Sequence, residues 1–335
     1  MRICLCRRGI SRILELLRAA LPEDDVSECS PAEVADFART AEVLVPLAAP
    51  VGERALASPR LLLVQQFGAG LDGVDVDSAS KHGVYVANVP SGETANADSV
   101  AELAVLLILA LARRLPEAQE NVRAGRLGTP VGTTLKGTAV AIVGFGDIGR
   151  AVARRLRPFG VRILAVSRRG PRGRETEADL HVPTSAFQAV LPQADFVVVA
   201  TPLGAETRGL VGAEAFASMK RGAFLVNVAR GAVVDREALL EALASGRLAG
   251  AGLDVFWQEP PDPADPIFSH AVIATPHIGG ATDLSLREIS AAVAANVNRL
   301  RRGEAPRNCV NARSLDPAAL QAKRAPARAA HGGES

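Results

Sequence analysis

The sequence is poor in cysteine, and its few cysteines follow no recognised ligand pattern. Cys4, Cys6, Cys29 and Cys309 show no CxxC spacing and have no nearby histidine. This spacing predicts neither a zinc site nor a disulfide framework. We therefore expect no metal ion, and the free thiols fit a reducing cytoplasm.

Long apolar runs are also missing. The most apolar stretch, residues 103–112, is about half the length that a helix needs to cross a bilayer, and Glu102 and Arg113 flank it. We expect a buried helix there and no membrane partner. Near the N-terminus, Arg7 and Arg8 interrupt the apolar residues well short of a signal-peptide core. We therefore expect no export signal and a cytoplasmic protein.

The charge is nearly balanced. Lysine and arginine total 38 against 36 acidic residues, which gives a formal net charge of +2. The basic residues are spread along the chain, so no block of the kind that binds nucleic acid is present. The one local excess is formed by Arg168, Arg169, Arg172 and Arg174. We expect no nucleic-acid partner.

The chain length and the order of its apolar segments predict two α/β domains. At 335 residues the chain is too long for one ordinary core. Short apolar runs at 3–6, 43–45, 61–66 and 84–87 alternate with helical stretches, which indicates parallel strands. After a long helical pattern at 96–114, a second series predicts six strands in a doubly wound sheet, at 140–143, 162–166, 196–200, 224–227, 253–255 and 272–274.

The last predicted helix returns the chain to the first domain. Residues 284–302 carry apolar side chains at helical spacing. The first domain is therefore expected to be discontinuous, comprising 1–98 and 285–312, with the second domain at 99–284. Residues 313–335 are rich in Ala, Arg, Pro and Gly, which predicts a disordered tail.

A glycine motif follows the first strand of the second domain. Gly144, Gly146 and Gly149 form GxGxxG between the apolar strand and a helical stretch. In this context the first glycine permits a tight turn, the second lets the backbone approach a pyrophosphate, and the third lets the helix lie close to the strand. The helix N-terminus would point its N–H groups at the phosphates. The pattern predicts a dinucleotide site, and the alternative is an ordinary glycine-rich turn.

Cofactor choice is expected at the end of the next strand. A carboxylate there would hold the ribose 2′-hydroxyl of NAD, but the sequence reads Ser167, Arg168 and Arg169. A hydroxyl and two guanidinium groups complement the 2′-phosphate of NADP. We therefore favour NADP(H), with NAD(H) possible. The alternative is that both arginines are solvated loop charges.

Several long motifs resemble the D-isomer-specific 2-hydroxyacid dehydrogenases, a family that includes glyoxylate and hydroxypyruvate reductases and phosphoglycerate dehydrogenase. The resemblance extends to about Asn311 and rests on the stretches VAIVGFGDIGR, TPLGAETRGL, LVNVARGAVVDREALLEAL, GLDVFWQEP and TPHIGGAT. It implies a nicotinamide-dependent oxidoreductase acting on CH–OH donors. It also implies a Rossmann cofactor domain inserted into a flavodoxin-like substrate domain.

Three residues are the candidate catalytic groups. Reducing a 2-oxoacid needs a cation for the carboxylate and a proton donor for the carbonyl oxygen. By resemblance, Arg230 binds the carboxylate, His277 is the acid/base and Glu259 orients His277. A neighbouring carboxylate favours the imidazolium form, so the proton stays available.

Further contacts are implied by the resemblance alone. The backbone amides of Ala69 and Gly70 would hold the substrate carboxylate, and Asp254 would hold the nicotinamide carboxamide. The other implied cofactor contacts are Asp147, Ile148, Thr201, Val228, Ala229, Gly279 and Gly280. The family's two-fold interface lies close to residues 103–112, which predicts a homodimer.

The substrate is expected to be a small, unphosphorylated 2-oxoacid. The loop at 46–50 has no cation to bind a phosphate, so phosphoglycerate ranks below glyoxylate and hydroxypyruvate. An alternative of another class is a nucleotide-sensing protein like the family's corepressor relatives. A dehydrogenase of another fold sharing only GxGxxG would require the Arg, Glu and His motifs to be coincidental.

Overall fold

The computed structural model describes residues 1–170 and 177–329, and the chain forms two compact units. The first unit comprises Met1–Asn96 and the chain from Asp283 onward, and the second comprises Ala97–Thr282. The predicted boundaries, after residue 98 and before residue 285, each differ from these by two residues. Arg172 and Arg174, part of the predicted basic excess, lie outside the described residues.

Strands and helices alternate along most of the chain. The strands are β1 (Arg2–Leu5), β2 (Asp25–Glu28), β3 (Val43–Val45), β4 (Leu63–Gln65), β5 (Tyr85–Ala87), β6 (Ala139–Val143), β7 (Arg162–Ser167), β8 (Leu180–Pro183), β9 (Phe196–Val199), β10 (Ala223–Asn227), β11 (Leu248–Leu253) and β12 (Val272–Ala274). The α-helices are α1 (Ser11–Ala20), α2 (Val34–Ala38), α3 (Glu53–Leu56), α4 (Val76–Lys81), α5 (Asn96–Ala112), α6 (Leu115–Arg123), α7 (Asp147–Leu156), α8 (Phe187–Val190), α9 (Ala213–Ser218), α10 (Arg236–Ala244), α11 (Asp283–Arg301) and α12 (Pro317–Ala329). Short 3₁₀ turns lie at Pro31–Glu33, Ser91–Glu93, Arg157–Phe159, Thr184–Ala186, Leu191–Gln193, Gly231–Val233 and Pro266–Ser269.

The first unit is built on a parallel sheet in the order β2-β1-β3-β4-β5. This is the flavodoxin-like strand order. Alternate residues of β1 serve opposite faces, because side chains of a strand point alternately to its two sides. Ile3 packs in a cluster with α1 and α11, and Cys4 packs in a second cluster with α2, α3 and α4. Strand β2 was not predicted, because it is an edge strand in which only Val26 is fully buried.

The second unit is built on a seven-stranded parallel sheet in the order β12-β11-β10-β9-β6-β7-β8. Counted from β6, the order is that of a doubly wound dinucleotide-binding sheet with one further strand. The predicted α/β class, with a Rossmann domain inserted into a flavodoxin-like domain, is confirmed. The edge strand β8 was not predicted.

Strand β11 begins earlier than the sequence pattern predicts, at Leu248 and not at residue 253. Gly250 and Gly252 dilute its apolar pattern. A Cβ on Gly252 would lie 3.0 Å from Leu107 Cβ, so the glycine lets α5 pack directly on the strand. Leu107 and Ile108 are buried, as the apolar stretch 103–112 predicts. None of the described helices is both long enough and apolar enough to span a membrane.

The C-terminal segment differs from the predicted disordered tail at 313–335. Pro317–Ala329 forms α12, and residues 330–335 lie outside the described residues. The side chain of Lys323 accounts for the difference, because its Nζ donates hydrogen bonds to the carbonyl oxygens of Leu56, Ser58 and Leu61 at 3.2, 2.7 and 3.1 Å. Desolvation lowers the pKa of Lys323 to about 8.

Candidate active site

The glycine motif forms a tight turn between β6 and α7. Gly144 has φ of 100°, and a Cβ there would lie 2.5 Å from Thr201 N. A Cβ on Gly149 would lie 2.1 Å from Gly144 O, so this glycine lets α7 approach the turn. A Cβ on Gly146 would meet nothing within 4 Å. The open side at Gly146 and the start of α7 at Asp147 fit the approach of a pyrophosphate.

A cavity of about 970 Å³ lies beside this turn in the second unit. Its volume is at the upper end of ordinary ligand pockets, which suits a dinucleotide. Of the predicted cofactor residues, those that line it are Gly144, Gly146, Ser167, Arg168, Arg169 and Thr201. Asp147 and Ile148 are the first two residues of α7 and directly follow Gly146, which lines the cavity.

The wall of this cavity near Ser167 contains a histidine that was not predicted. His181 lies on β8 and its Nε2 is 2.8 Å from Ser167 Oγ. Its ring contacts the Phe145 ring edge-on at 5.2 Å, and the Arg150 guanidinium lies 4.9 Å from the centre of the same ring. Both His181 and Arg150 line the cavity beside Arg168. His181 was not predicted, because the sequence pattern does not mark the strand that carries it.

The other predicted cofactor residues lie at the carboxyl ends of neighbouring strands. Val228 and Ala229 follow β10 and are buried. Buried Asn227 fixes this turn, since its Oδ1 accepts from Ala229 N at 3.1 Å and its Nδ2 donates to Arg230 O at 3.0 Å. The main chain of Arg230 is therefore held by a side chain that the sequence analysis did not single out.

Asp254 is buried and fastens the loop that carries His277. Its Oδ1 accepts from Thr275 Oγ1 at 2.7 Å and from Ile278 N at 2.9 Å, and its Oδ2 accepts from Gly279 N at 2.9 Å. These bonds restrain the chain on both sides of His277. The predicted contact of Asp254 with a nicotinamide stays a prediction, as do those of Gly279 and Gly280.

The second unit brings two members of the predicted catalytic trio into direct contact. His277 Nδ1 lies 2.7 Å from Glu259 Oε2, and Glu259 Oε1 accepts from Phe256 N at 3.1 Å. His277 has φ of 55°, a left-handed conformation that non-glycine residues adopt rarely and that is typical of functional sites. Glu259 is 21% exposed and His277 is 40% exposed. The carboxylate is thus sheltered while the imidazole is accessible.

Arg230 contributes to this site through its charge. Burial alone would raise the pKa of Glu259, but the hydrogen bond and charge of His277, the Phe256 amide and the Arg230 charge together lower it. A Cβ on Gly231 would lie 2.1 Å from the Phe256 carbonyl carbon, so the chain after Arg230 packs tightly on the segment that leads to Glu259. The three residues therefore form one electrostatic group.

Ala69 and Gly70 belong to the first unit. They lie in the loop after β4, where Gly68 has φ of 114° and Asn88 Nδ2 donates to Ala69 O at 2.9 Å. Ala69 is exposed and Gly70 is half-buried. Their contact with a substrate carboxylate stays a prediction.

The first unit also contains a cluster that the cysteine spacing did not predict. The Sγ atoms of Cys4, Cys6 and Cys29 all lie within 4.8 Å of one another, and all three residues are buried. The sequence separation of Cys29 from Cys6 hid this proximity, which arises from the pairing of β1 with β2.

Comparison with known proteins identifies the group of enzymes that this chain resembles. Residues 105–279 match the family described as D-isomer specific 2-hydroxyacid dehydrogenase, NAD binding domain. Glyoxylate reductase of Thermococcus kodakarensis is 42% identical over 264 residues, which is 76% of this chain and 78% of that protein. Glyoxylate reductase of Korarchaeum cryptofilum is 38% identical over 316 residues, which is 91% of this chain and 92% of that protein.

A solved structure supports the same relationship. The NADPH-dependent glyoxylate/hydroxypyruvate reductase from Sinorhizobium meliloti, in complex with NADP and malonate, superposes with a TM-score of 0.80 at 31% identity. The match covers 92% of this chain and 96% of that one. These relatives favour an enzyme over the nucleotide-sensing alternative.

Proposed function

Because the chain belongs to the D-isomer-specific 2-hydroxyacid dehydrogenase family, we propose that it reduces glyoxylate or hydroxypyruvate to the D-2-hydroxyacid, with NADPH as the favoured reductant. The broader class is established by the relatives: the chain is a nicotinamide-dependent oxidoreductase that acts on a small 2-oxoacid. The observation that carries the residue assignment is the 2.7 Å contact between His277 Nδ1 and Glu259 Oε2.

This contact supports the assignment of the imidazole nitrogen that handles the proton. Glu259 accepts the hydrogen from Nδ1, so His277 presents Nε2 to the reacting group. In the imidazolium form Nε2 carries a proton that it gives to the carbonyl oxygen of the oxoacid. When bound, the reduced nicotinamide supplies the hydride for the carbonyl carbon. In the reverse direction Nε2 takes the proton back from the hydroxyl group.

Arg230 is the candidate carboxylate-binding residue. A guanidinium group can bind a carboxylate through two parallel hydrogen bonds, which fixes the orientation of the neighbouring carbonyl. Arg230 follows β10, and ligands of doubly wound folds collect at the carboxyl ends of the strands.

NADPH selectivity is assigned to Ser167, Arg168 and Arg169. All three line the cofactor cavity, and both arginines are exposed there. His181 extends this set as a positioning residue. When His181 Nε2–H donates to Ser167 Oγ, the serine hydroxyl hydrogen is available to donate to a 2′-phosphate oxygen instead of to Gly170 O, which lies at 3.3 Å.

The choice of a small, unphosphorylated substrate rests on the loop after β3. Residues 46–50 read Pro-Leu-Ala-Ala-Pro and offer no cation for a phosphate group. A short, uncharged substituent on the oxoacid suits such a loop, because a doubly charged phosphate would need arginine or lysine partners.

The test is a set of initial rates with NADPH and with NADH against glyoxylate, hydroxypyruvate, phosphohydroxypyruvate, pyruvate and phenylpyruvate. We expect the highest kcat/KM with NADPH and glyoxylate or hydroxypyruvate. A preference for phosphohydroxypyruvate would overturn the substrate assignment. A preference for NADH would overturn the cofactor assignment while leaving the substrate assignment intact.

We further propose that the active enzyme is a homodimer. Apolar side chains are exposed on α5, on α6 and in the segment that follows: Leu106 is 55% exposed, Val122 73%, Leu127 92% and Val131 84%. A concentration of exposed apolar side chains marks an association surface, and a two-fold dimer would bury the same patch on both copies.

A further inference from the structure

The cysteine cluster of the first unit arises directly from the strand pairing. Cys4 and Cys6 are two residues apart along β1 and its extension, so their side chains point to the same face of the sheet. Strand β2 pairs in parallel with β1 with Leu5 opposite Glu28, and Cys29 N donates to Leu5 O at 2.9 Å. Cys29 is thereby placed beside Cys6.

The three sulfur atoms have the spacing of a metal-binding set. They all lie within 4.8 Å of one another. Three sulfurs arranged trigonally around one metal ion at bonds of about 2.3 Å would be about 4 Å apart. These two sulfur–sulfur distances differ by less than about 1 Å, so small side-chain rotations would bring the three sulfur atoms to the trigonal geometry. No strand has to move.

The donor set selects a soft metal ion. Among the described residues the cluster contains three thiols and no imidazole or carboxylate. Zinc in structural sites takes four ligands in a tetrahedron, and a fully buried three-thiol set lacks the fourth. Thiolates are soft ligands that bind copper(I) well. We propose that Cys4, Cys6 and Cys29 form a trigonal thiolate site for a soft monovalent ion, copper(I).

The cluster is buried, but the chain segments that follow it reach the surface. All three cysteines are at most 1% exposed, but Arg7 and Arg8 follow Cys6 directly and are exposed. Arg8 pairs with Glu33 at 2.8 Å, and Glu33 accepts from Ser30 N at 2.7 Å, one residue beyond Cys29. This surface ion pair joins the segments that follow Cys6 and Cys29.

Binding is a simple exchange of protons for the metal ion. Each thiol that becomes a ligand releases its proton to solvent as its sulfur bonds to copper(I), so three protons leave when all three bind. No electron is transferred, because the ion enters and remains as copper(I).

The test is an anaerobic titration of the reduced, full-length protein with copper(I), in competition with a chromophoric copper(I) chelator. We expect one equivalent of copper to be retained, with an ultraviolet thiolate-to-copper charge-transfer band and a higher Tm. Cys4→Ser, Cys6→Ser and Cys29→Ser should each weaken retention by more than about 100-fold, since loss of outer-shell partners alone costs up to that factor. The half-buried Cys309 lies outside the cluster, so Cys309→Ser is the matched control and should retain one equivalent.

Two further measurements distinguish the loss of the metal site from misfolding of a variant. Circular dichroism and NADPH oxidation report whether each variant folds, and Cys29→Ala replaces Cys29→Ser if the serine hydroxyl is not tolerated in the apolar cluster. Three cysteines that serve only as small core side chains would leave the copper with the chelator. That result, or equal retention by the folded Cys29 variant and the wild type, would overturn the proposal.

Discussion

Replacing Glu259 by glutamine removes the charge of the carboxylate while keeping its size. One amide oxygen remains to accept the hydrogen from His277 Nδ1, which lies 2.7 Å from Glu259 Oε2. The carboxylate also accepts from Phe256 N, and a single amide oxygen cannot serve both donors. Glu259→Gln therefore weakens the hold on the Nδ1 proton and loosens the side chain.

The size of the effect follows from the environment of the pair. A hydrogen bond between charged groups contributes about 1.5–3 kcal/mol. His277 is 40% exposed, and solvent screening moves the value toward the lower end of that range. On the alkaline side of the profile of kcat/KM against pH, a loss of about 1.5–2 kcal/mol lowers kcat/KM by about 10- to 30-fold.

The direction in which the pH profile moves follows from which protonation state of the imidazole is active. Reduction needs the protonated imidazole, so the rate is present at low pH and falls as the pH rises through the apparent pKa of the pair. Because the carboxylate stabilises the proton, Glu259→Gln should move the alkaline limb of the profile of kcat/KM against pH to lower pH. The rates of variant and wild type should converge as the pH falls.

The assay is NADPH oxidation with glyoxylate across the pH range, and the chain offers a matched control. His82 Nε2 lies 2.6 Å from Glu53 Oε1 in the first unit, so Glu53→Gln removes a similar carboxylate from a histidine that has no assigned catalytic role. That variant should keep the wild-type profile. Glu259→Asp, which retains the charge, should keep the position of the limb even if kcat falls. An unmoved limb in Glu259→Gln would mean that the Glu259 carboxylate does not stabilise the proton on His277.

Three other changes test the cofactor site and the assembly. Ser167→Asp together with Arg169→Ala should raise the dissociation constant of NADPH relative to that of NADH by about 100-fold or more, because a charged hydrogen bond is lost and a carboxylate faces the phosphate. Fluorescence titration measures both constants, and an unchanged ratio would place the phosphate elsewhere. His181→Leu should weaken NADPH binding by about 5- to 10-fold and leave NADH binding unchanged, since about 1 kcal/mol is expected for one hydrogen bond. His181→Gln should restore NADPH binding, whereas equal losses for both cofactors in His181→Leu would indicate a packing role. Leu127→Glu with Val131→Glu should give monomers by light scattering at concentrations where the wild type is dimeric, and a persistent dimer would exclude this surface.

The sequence was most informative where strands are fully buried. The apolar runs of β6, β9 and β10 were recognised because parallel strands covered on both faces read as continuous apolar segments. The edge strands β2 and β8 were missed because half of their side chains or more are not buried. The helix α12 was missed because its composition resembles a disordered tail, whereas Lys323 binds carbonyl groups far away in the sequence.

The candidate site likewise contains some features that sequence motifs predict and others that they do not. The glycine turn and the contact of Glu259 with His277 follow from motifs whose spacing and context are specific. Asn227 and His181 could not be found, because their roles depend on which strands are neighbours. The cysteine cluster likewise depends on the pairing of β1 with β2. Contacts across a sheet are not visible in the spacing of residues along the chain.

The most direct test of the account is the kinetics of His277→Gln measured together with its affinity for NADPH. His277 is assigned as the proton donor and is not among the residues that line the cavity beside the glycine turn. The account predicts that kcat for glyoxylate reduction falls by about 10²- to 10⁴-fold, while the dissociation constant of NADPH, measured by fluorescence, stays close to that of the wild type. Turnover close to that of the wild type would contradict the assignment of His277 and with it the proposed mechanism.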